Sequence, residues 1–203
     1  MIKQILFDCG DVLARIRFDN LITELTGDPK QGQIVLERMW IQGSPWLRYD
    51  RGLYQKSEML PLLIDYYPEI APEHLEQFMQ LWPTRMQPIQ EMELLIKDLR
   101  TAGYPCYLLS NFNPQFEELR PHCPALQLMD GEVVSYNINM LKPDREIFEH
   151  TAEKFGILPG ETLFIDDTQA NIDAAIEAGY LGHLFTDAST LRSALKDLHI
   201  LDE

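Results

Sequence analysis

Four short apolar runs, each stopping abruptly at polar residues, constrain the fold of this chain more than any other feature. They are Ile2 to Phe7 ending in Asp8-Cys9-Gly10-Asp11, Tyr104 to Leu109 ending in Ser110-Asn111, Thr162 to Ile165 ending in Asp166-Asp167, and Tyr180 to Phe185 ending in Thr186-Asp187. Runs of this length closed by turn residues read as strands followed by turns. Helical periodicity lies between them: Pro88 to Ala102, with apolar Ile89, Met92, Leu95, Ile96 and Leu99, then Pro143 to Phe155, Gln169 to Ala178 and Ala188 to Leu198. Gly103, Gly156 and Gly179 stand where a left-handed residue would close each of three helices before the next strand. Strands alternating with helices predict an α/β fold, a mostly parallel sheet with helices on both faces. Such sheets bind ligands beyond the carboxyl ends of their strands, where these polar residues gather.

Residues 16 to 85 break the alternation. Helical patterns cover Phe18 to Leu25, Lys30 to Gln42, Gln55 to Tyr67 and Glu73 to Leu81, separated by Gly27-Asp28-Pro29, Gly43-Ser44-Pro45 and Pro68. The segment reads as a helical insertion after the first strand, leaving residues 1–15 and 86–203 for the α/β core. Its aromatic and methionine residues (Met39, Trp40, Trp46, Met59, Tyr66, Tyr67, Phe78, Trp82) read as bundle core.

The 32 acidic residues against 17 basic ones give a formal charge of −15, which repels nucleic acid backbones and anionic membrane surfaces alike. Cys9, Cys106 and Cys123 lack zinc-like spacing and read as reduced structural thiols. The opening MIKQILFDCGDVL does not have the makeup of a signal peptide, and no apolar run reaches membrane-spanning length. The expectation is a soluble cytoplasmic protein without a nucleic acid or membrane partner.

Asp8 alone would be an ordinary turn or cap residue. The adjacent carboxylates Asp166 and Asp167 change its meaning, because two anions after a buried strand call for a cation or a shared proton, although Asp167 as a simple helix cap is the plainer reading. Oxygen-only ligands with room for water and phosphate suit Mg²⁺. The five histidines are too scattered to compete. Ser110-Asn111 offers a hydroxyl and backbone N–H groups to a phosphoryl oxygen. Lys142 precedes a helix that opens with Pro143, so it can face the same pocket. In order along the strand ends, these residues form one phosphoryl-transfer constellation.

ILFDCGDVL, then LLSN, then Lys142-Pro143, then FIDDTQANIDAA resemble the four motifs of the haloacid dehalogenase-like hydrolase superfamily, in the branch with a helical cap after the first motif. Arg51-Gly52 also resembles this branch. The resemblance covers nearly the whole chain and implies a Rossmann-like core, with residues 16–85 as cap. It implies that Asp8 is the nucleophile forming an aspartyl-phosphate, with Mg²⁺ held by Asp8, the carbonyl of Gly10 and Asp167. Asp166 would support the metal directly or through water, and Asn171 could reach the same surroundings. Ser110 and the Asn111 backbone would hold phosphoryl oxygens, and Lys142 would neutralise charge on the nucleophile and the phosphoryl group. The implied substrate is a small phosphorylated metabolite.

The chain departs from that pattern at Gly10, where most phosphatases of the superfamily carry a second Asp as general acid and base. Asp11 is not a simple replacement, because a one-residue shift redirects the side chain, but the chain turns there and Asp11 stands as a substitute acid and base. Losing such an acid costs about 10² to 10⁴ in rate for a poor leaving group. Either the leaving group is a good one, such as the anomeric oxygen of a sugar 1-phosphate, or a cap residue or water supplies the proton. The departure resembles a subgroup beginning Asp-x-Gly-Asn or Asp-x-Gly-Gly that includes sugar-phosphate phosphatases. Two alternatives stand beside the phosphatase: a catalytically silent binding or regulatory protein, favoured by Gly10, and a 2-haloacid dehalogenase, disfavoured by the Asp166-Asp167 pair. Trp46, Arg48, Tyr49 and Arg51 are the cap residues expected to line a cleft.

Overall fold

The computed structural model describes residues 1–202. Three central strands are buried along nearly their whole length: β1 (Gln4–Phe7) lies in the middle, β4 (Cys106–Ser110) on one side and β6 (Thr162–Asp166) on the other, all parallel. Two ribbons, β2 (Ala14–Arg15) and β3 (Gln87–Pro88), pair antiparallel and are treated below. The edges of the main sheet are β5 (Gly131–Val134) and β7 (Leu181–Leu184), and the order is β5-β4-β1-β6-β7. From β1 the chain builds outward through β4 to β5 and then crosses to β6, which puts the switch of direction between β1 and β6. A crevice opens there at the carboxyl ends.

Alternation along β1 sends side chains to two separate cores. Ile5 and Phe7 join the cluster containing Met92, Leu95, Ile96 and Leu99 of α6 (Gln90–Thr101) and Leu191 and Leu195 of α10 (Ala188–Asp197). Leu6 joins the cluster containing Ile147 and Phe148 of α8 (Arg145–Phe155) and Ile172 and Ala175 of α9 (Gln169–Glu177). The strand is therefore covered on both faces, as the unbroken apolar runs require. Gly103, Gly156 and Gly179 all have the positive φ expected of helix-closing residues.

Five helices lie between β2 and β3: α1 (Phe18–Thr26), α2 (Pro29–Met39), α3 (Pro45–Asp50), α4 (Lys56–Tyr66) and α5 (Pro72–Arg85). A short helix α7 (Phe116–Leu119) follows β4. The sequence reading lacked α3, because Gly43-Ser44-Pro45 looked like a separator. Instead Ser44 is the N-cap, its Oγ accepting from the Leu47 amide at 3.2 Å, and Pro45 opens the helix. It also lacked β5, whose Gly131-Glu132 start leaves only Val133 and Val134 as an apolar signal. The β2-β3 ribbon, Ala14 opposite Pro88 and Arg15 opposite Gln87, ties the chain's entry into the helical segment to its exit. Two-residue strands are below what periodicity can detect.

The aromatic residues of the segment pack together, but Trp40 is 47% exposed rather than in the core, because it sits at the end of α2. Phe18 lies edge-on to Trp46, Phe78 and Trp82, with ring centroids 5.2, 5.5 and 5.4 Å away. The cluster continues into the α/β core through Trp82 and Phe112, at 5.4 Å. No helix among the described residues is long and apolar enough to cross a membrane.

Candidate active site

Asp8 follows β1 directly, and its amide donates to the Ile165 carbonyl at 2.9 Å, which holds the end of β1 level with the end of β6. That register places Asp8 beside Asp166, the last residue of β6. Both are buried, and the Lys142 ammonium sits between them, 2.7 Å from Asp8 Oδ1 and 2.7 Å from Asp166 Oδ2. It also donates to the Leu109 carbonyl at 3.0 Å. Burial works against the charged lysine, but Asp166 and Asp8 outweigh it and keep its pKa above the ordinary value.

Asn111 fixes the lysine from behind: its side chain accepts from the Lys142 amide and donates to the Lys142 carbonyl, both at 2.8 Å. Asp166 is held as firmly, accepting from the Thr168 amide at 2.8 Å and from Asn171 Nδ2 at 3.0 and 3.1 Å. Asn171 thus faces a carboxylate it orients. In this arrangement the carboxylate of Asp166 is committed to three donors, whereas Asp8 Oδ2 has no donor among the described residues.

Asp8, Asp166 and Asp167 each offer an oxygen, and the three atoms lie within 4.8 Å of one another. Burial raises the Asp8 pKa, with Asp166 and Asp167 adding to the rise and Lys142 opposing it; burial and Asp166 likewise raise that of Asp167. One lysine does not balance three carboxylates. A hard divalent cation does, and an oxygen-only donor set open to solvent at the exposed Asp167 fits Mg²⁺. Ser110 Oγ, buried at the end of β4, has no hydrogen-bond partner among the described residues. An orphaned buried hydroxyl beside such a cluster is explained by an oxygen-rich ligand that it would contact.

The turn after Asp8 departs from a simple reversal. Asp11 has φ +50°, and its carboxylate accepts from Arg17 at 2.9 Å. It lines a cleft of about 510 Å³ together with Arg15, Arg17, Asp167 and Ser189, on the outer side of the carboxylate cluster. Gly10 is filled in from another direction: a Cβ there would lie 3.2 Å from Ile16 Cδ1 and 3.9 Å from Asp8 Oδ2. Ile16 stands where a longer side chain at position 10 would begin.

Of the residues expected to line a cleft from the helical segment, Trp46 and Tyr49 are buried, Arg48 reaches the Tyr54 hydroxyl at 3.4 Å, and Arg51 pairs with Asp144 at 2.6 Å. Trp46 lines a small cavity with Ile16, Asn111 and Asn113, and so does Asp50, which was not among the expected residues. Asp50 carries no signal in the sequence beyond its place directly before Arg51-Gly52.

Comparison with known proteins extends over the same residues. The chain is 26% identical to a sesquiterpene phosphatase of Aspergillus oryzae over 197 residues, 97% of this chain and 96% of that protein. It is 28% identical to a D-ribitol-5-phosphate phosphatase of Bacteroides thetaiotaomicron, covering 89% of this chain and 90% of the other. Among solved structures, a HAD family enzyme of Bacteroides thetaiotaomicron in complex with magnesium and inorganic phosphate superposes with a TM-score of 0.72 at 26% identity, covering 94% of this chain and 99% of that one. The family model described as haloacid dehalogenase-like hydrolase matches residues 2–179, from the first strand through the carboxylate pair and the helix after it. With that match spanning most of its length, the chain belongs to the haloacid dehalogenase-like hydrolase family.

Proposed function

We propose that Asp8 is the nucleophile of this chain's reaction, the Mg²⁺-dependent hydrolysis of a small phosphate monoester, with helices α1 to α5 as a cap over the site. The observation that carries this assignment is the hold on Asp8: Lys142 engages one carboxylate oxygen, no donor among the described residues reaches the other, and Asp8 is itself one of three carboxylates gathered within 4.8 Å. A carboxylate fixed in this way has one oxygen directed for attack.

Asp8, Asp167 and the Gly10 carbonyl would hold Mg²⁺, with Asp166 adjoining. Bound there, the ion would neutralise charge on the phosphoryl oxygens and align the ester for in-line displacement. Ser110 Oγ would donate to one phosphoryl oxygen and the Asn111 amide to another. Lys142 stabilises the charge that gathers on the phosphoryl group as Asp8 displaces the alcohol, and Asn111 and Asp166 keep its ammonium in place. Water then attacks the phosphorus of the aspartyl-phosphate, restoring Asp8 and releasing phosphate.

A sugar phosphate remains the substrate class this reading names first, in keeping with a leaving group that must leave without a donor at Gly10. Three free, buried cysteines support a cytoplasmic setting, and the charge of −15 supports a protein without a nucleic acid partner.

The test is phosphate release from a panel of phosphomonoesters that includes sugar phosphates, with and without Mg²⁺. Release is expected to need Mg²⁺ and to fall at least about 10³-fold in Asp8→Asn, as removal of a covalent nucleophile does. Absence of turnover across the panel, with ligand binding retained in Asp8→Asn, would favour the silent binding protein. Halide release from a 2-haloacid that survives EDTA would favour the dehalogenase.

A further inference from the structure

Asp50 ends α3 with its side chain only 2% exposed. One of its carboxylate oxygens accepts from Asn113 Nδ2 at 2.9 Å, and no donor among the described residues reaches the other. The residue is locked in place through its backbone as well, since its carbonyl accepts from Ser135 Oγ at 2.5 Å. A buried carboxyl with a spare oxygen is costly unless something else uses it.

The cavity it faces holds about 20 Å³, enough for a single water-sized group. Its walls are otherwise mostly apolar: Ile16, Phe18, Trp40, Trp46, Trp82 and Phe112. Two contacts tie this cavity to the reacting groups. Asn111, on its wall, braces Lys142, which holds Asp8. Ile16, also on its wall, is the side chain that would meet a Cβ on Gly10, at a point that lies 3.9 Å from Asp8 Oδ2. The cavity therefore adjoins the position that a second aspartate would have occupied.

From this juxtaposition we propose that Asp50, reaching in from the cap, is the general acid and base that Gly10 cannot be. The proposal rests on the phosphatase reading above. As Asp8 forms its bond to phosphorus, the bond from phosphorus to the alcohol oxygen breaks, and its electron pair stays on that oxygen. The oxygen takes the proton of the Asp50 carboxyl and leaves as the alcohol. In the second half, water attacks the phosphorus, the Asp8–phosphorus bond breaks, and the proton lost by water returns to the Asp50 carboxylate. Each turnover consumes one water and restores both aspartates. Burial pushes the Asp50 carboxyl up to about 7, against a smaller opposing effect of the Asn113 hydrogen bond, which leaves both protonation states accessible near neutral pH. No charged side chain contributes to that shift, and Tyr49 is the titratable neighbour that senses Asp50.

The experiment measures single-turnover rates, with Mg²⁺, on a series of phosphate esters running from 2,4-dinitrophenyl through phenyl to a simple alkyl phosphate, for the wild type and Asp50→Asn. A dinitrophenolate leaves without a proton, whereas an alkoxide does not. The wild-type rate is expected to depend weakly on the leaving group. In Asp50→Asn the dependence steepens, so that the loss on the alkyl ester exceeds the loss on the dinitrophenyl ester by about 10²-fold or more. A purely structural role predicts the same factor on every ester, and that result overturns the proposal, as does a variant that loses nothing. The wild-type series alone is decisive in one direction even if Asp50→Asn cannot be purified, because a steep wild-type dependence means that no proton is donated. Failure of the wild type to turn over any ester, the dinitrophenyl one included, would instead overturn the phosphatase reading itself.

Discussion

Lys142 is the single cation between two buried carboxylates, and its removal strands both. Lys142→Met would leave Asp8 and Asp166 facing each other without compensation, so a loss of about 3–5 kcal/mol is expected from urea unfolding in the absence of Mg²⁺. Asp50 presents the opposite case, a buried acid whose charge the fold disfavours. Its folded pKa lies above the unfolded value, so the fold is best tolerated while Asp50 is neutral, and that advantage is lost as pH rises through about 7. Asp50→Asn keeps an acceptor for Asn113 and never ionises. It is expected to be more stable than the wild type at about pH 8, by no more than about 4 kcal/mol, with the gain shrinking toward about pH 5. Urea unfolding at the two pH values checks the sign. Asp8, Ser110 and Asp166 were legible because a strand end announces them in the sequence. Asp50 was not, since only the packing of the helical segment against the core brings it to the cavity that Ile16 and Asn111 line.

At the level of elements, the long periodic helices and the central strands were readable because each carries its own apolar pattern, whereas α3 and the β2-β3 ribbon are too short to carry one and β5 has only Val133 and Val134 to show, so these owe their form to what they pair with. Close helix crossings are equally silent in sequence. Gly32 of α2 lies so near α1 that a Cβ would come within 2.4 Å of the Asp19 carbonyl oxygen and 2.3 Å of Thr23 Oγ1. Backbone cannot yield as a side chain can, so the two helices must separate. Gly32→Ala, stabilising for an isolated helix, is expected here to cost about 1–3 kcal/mol. A melting temperature at or above that of the wild type would show that the α1-α2 crossing is looser than described.

For the molecule as a whole, the helical segment meets the α/β core through directed polar contacts set beside a shared apolar cluster. Asp50 with Asn113, Arg51 with Asp144, Asn139 with the Arg51 carbonyl, and Gln115 with both Trp82 and the Met79 carbonyl all cross this seam. The seam contacts and the carboxylate cluster each draw on residues far apart in sequence, so no single segment displays them. The cluster also sits in a chain of net charge −15, so cations act on it in two ways. Any salt screens self-repulsion, whereas an ion bound only by the folded state adds RT ln(1 + [L]/Kd), about 2.7 kcal/mol at a hundredfold excess over Kd. Comparing MgCl₂ with NaCl at equal ionic strength separates the two. Mg²⁺ is expected to raise the melting temperature further than NaCl does, and Asp167→Asn, which takes away the most exposed carboxylate of the three, should shrink the Mg²⁺-specific part while leaving the response to NaCl in place. Equal shifts in the two salts for the wild type would mean that Asp8, Asp166 and Asp167 do not form the metal site.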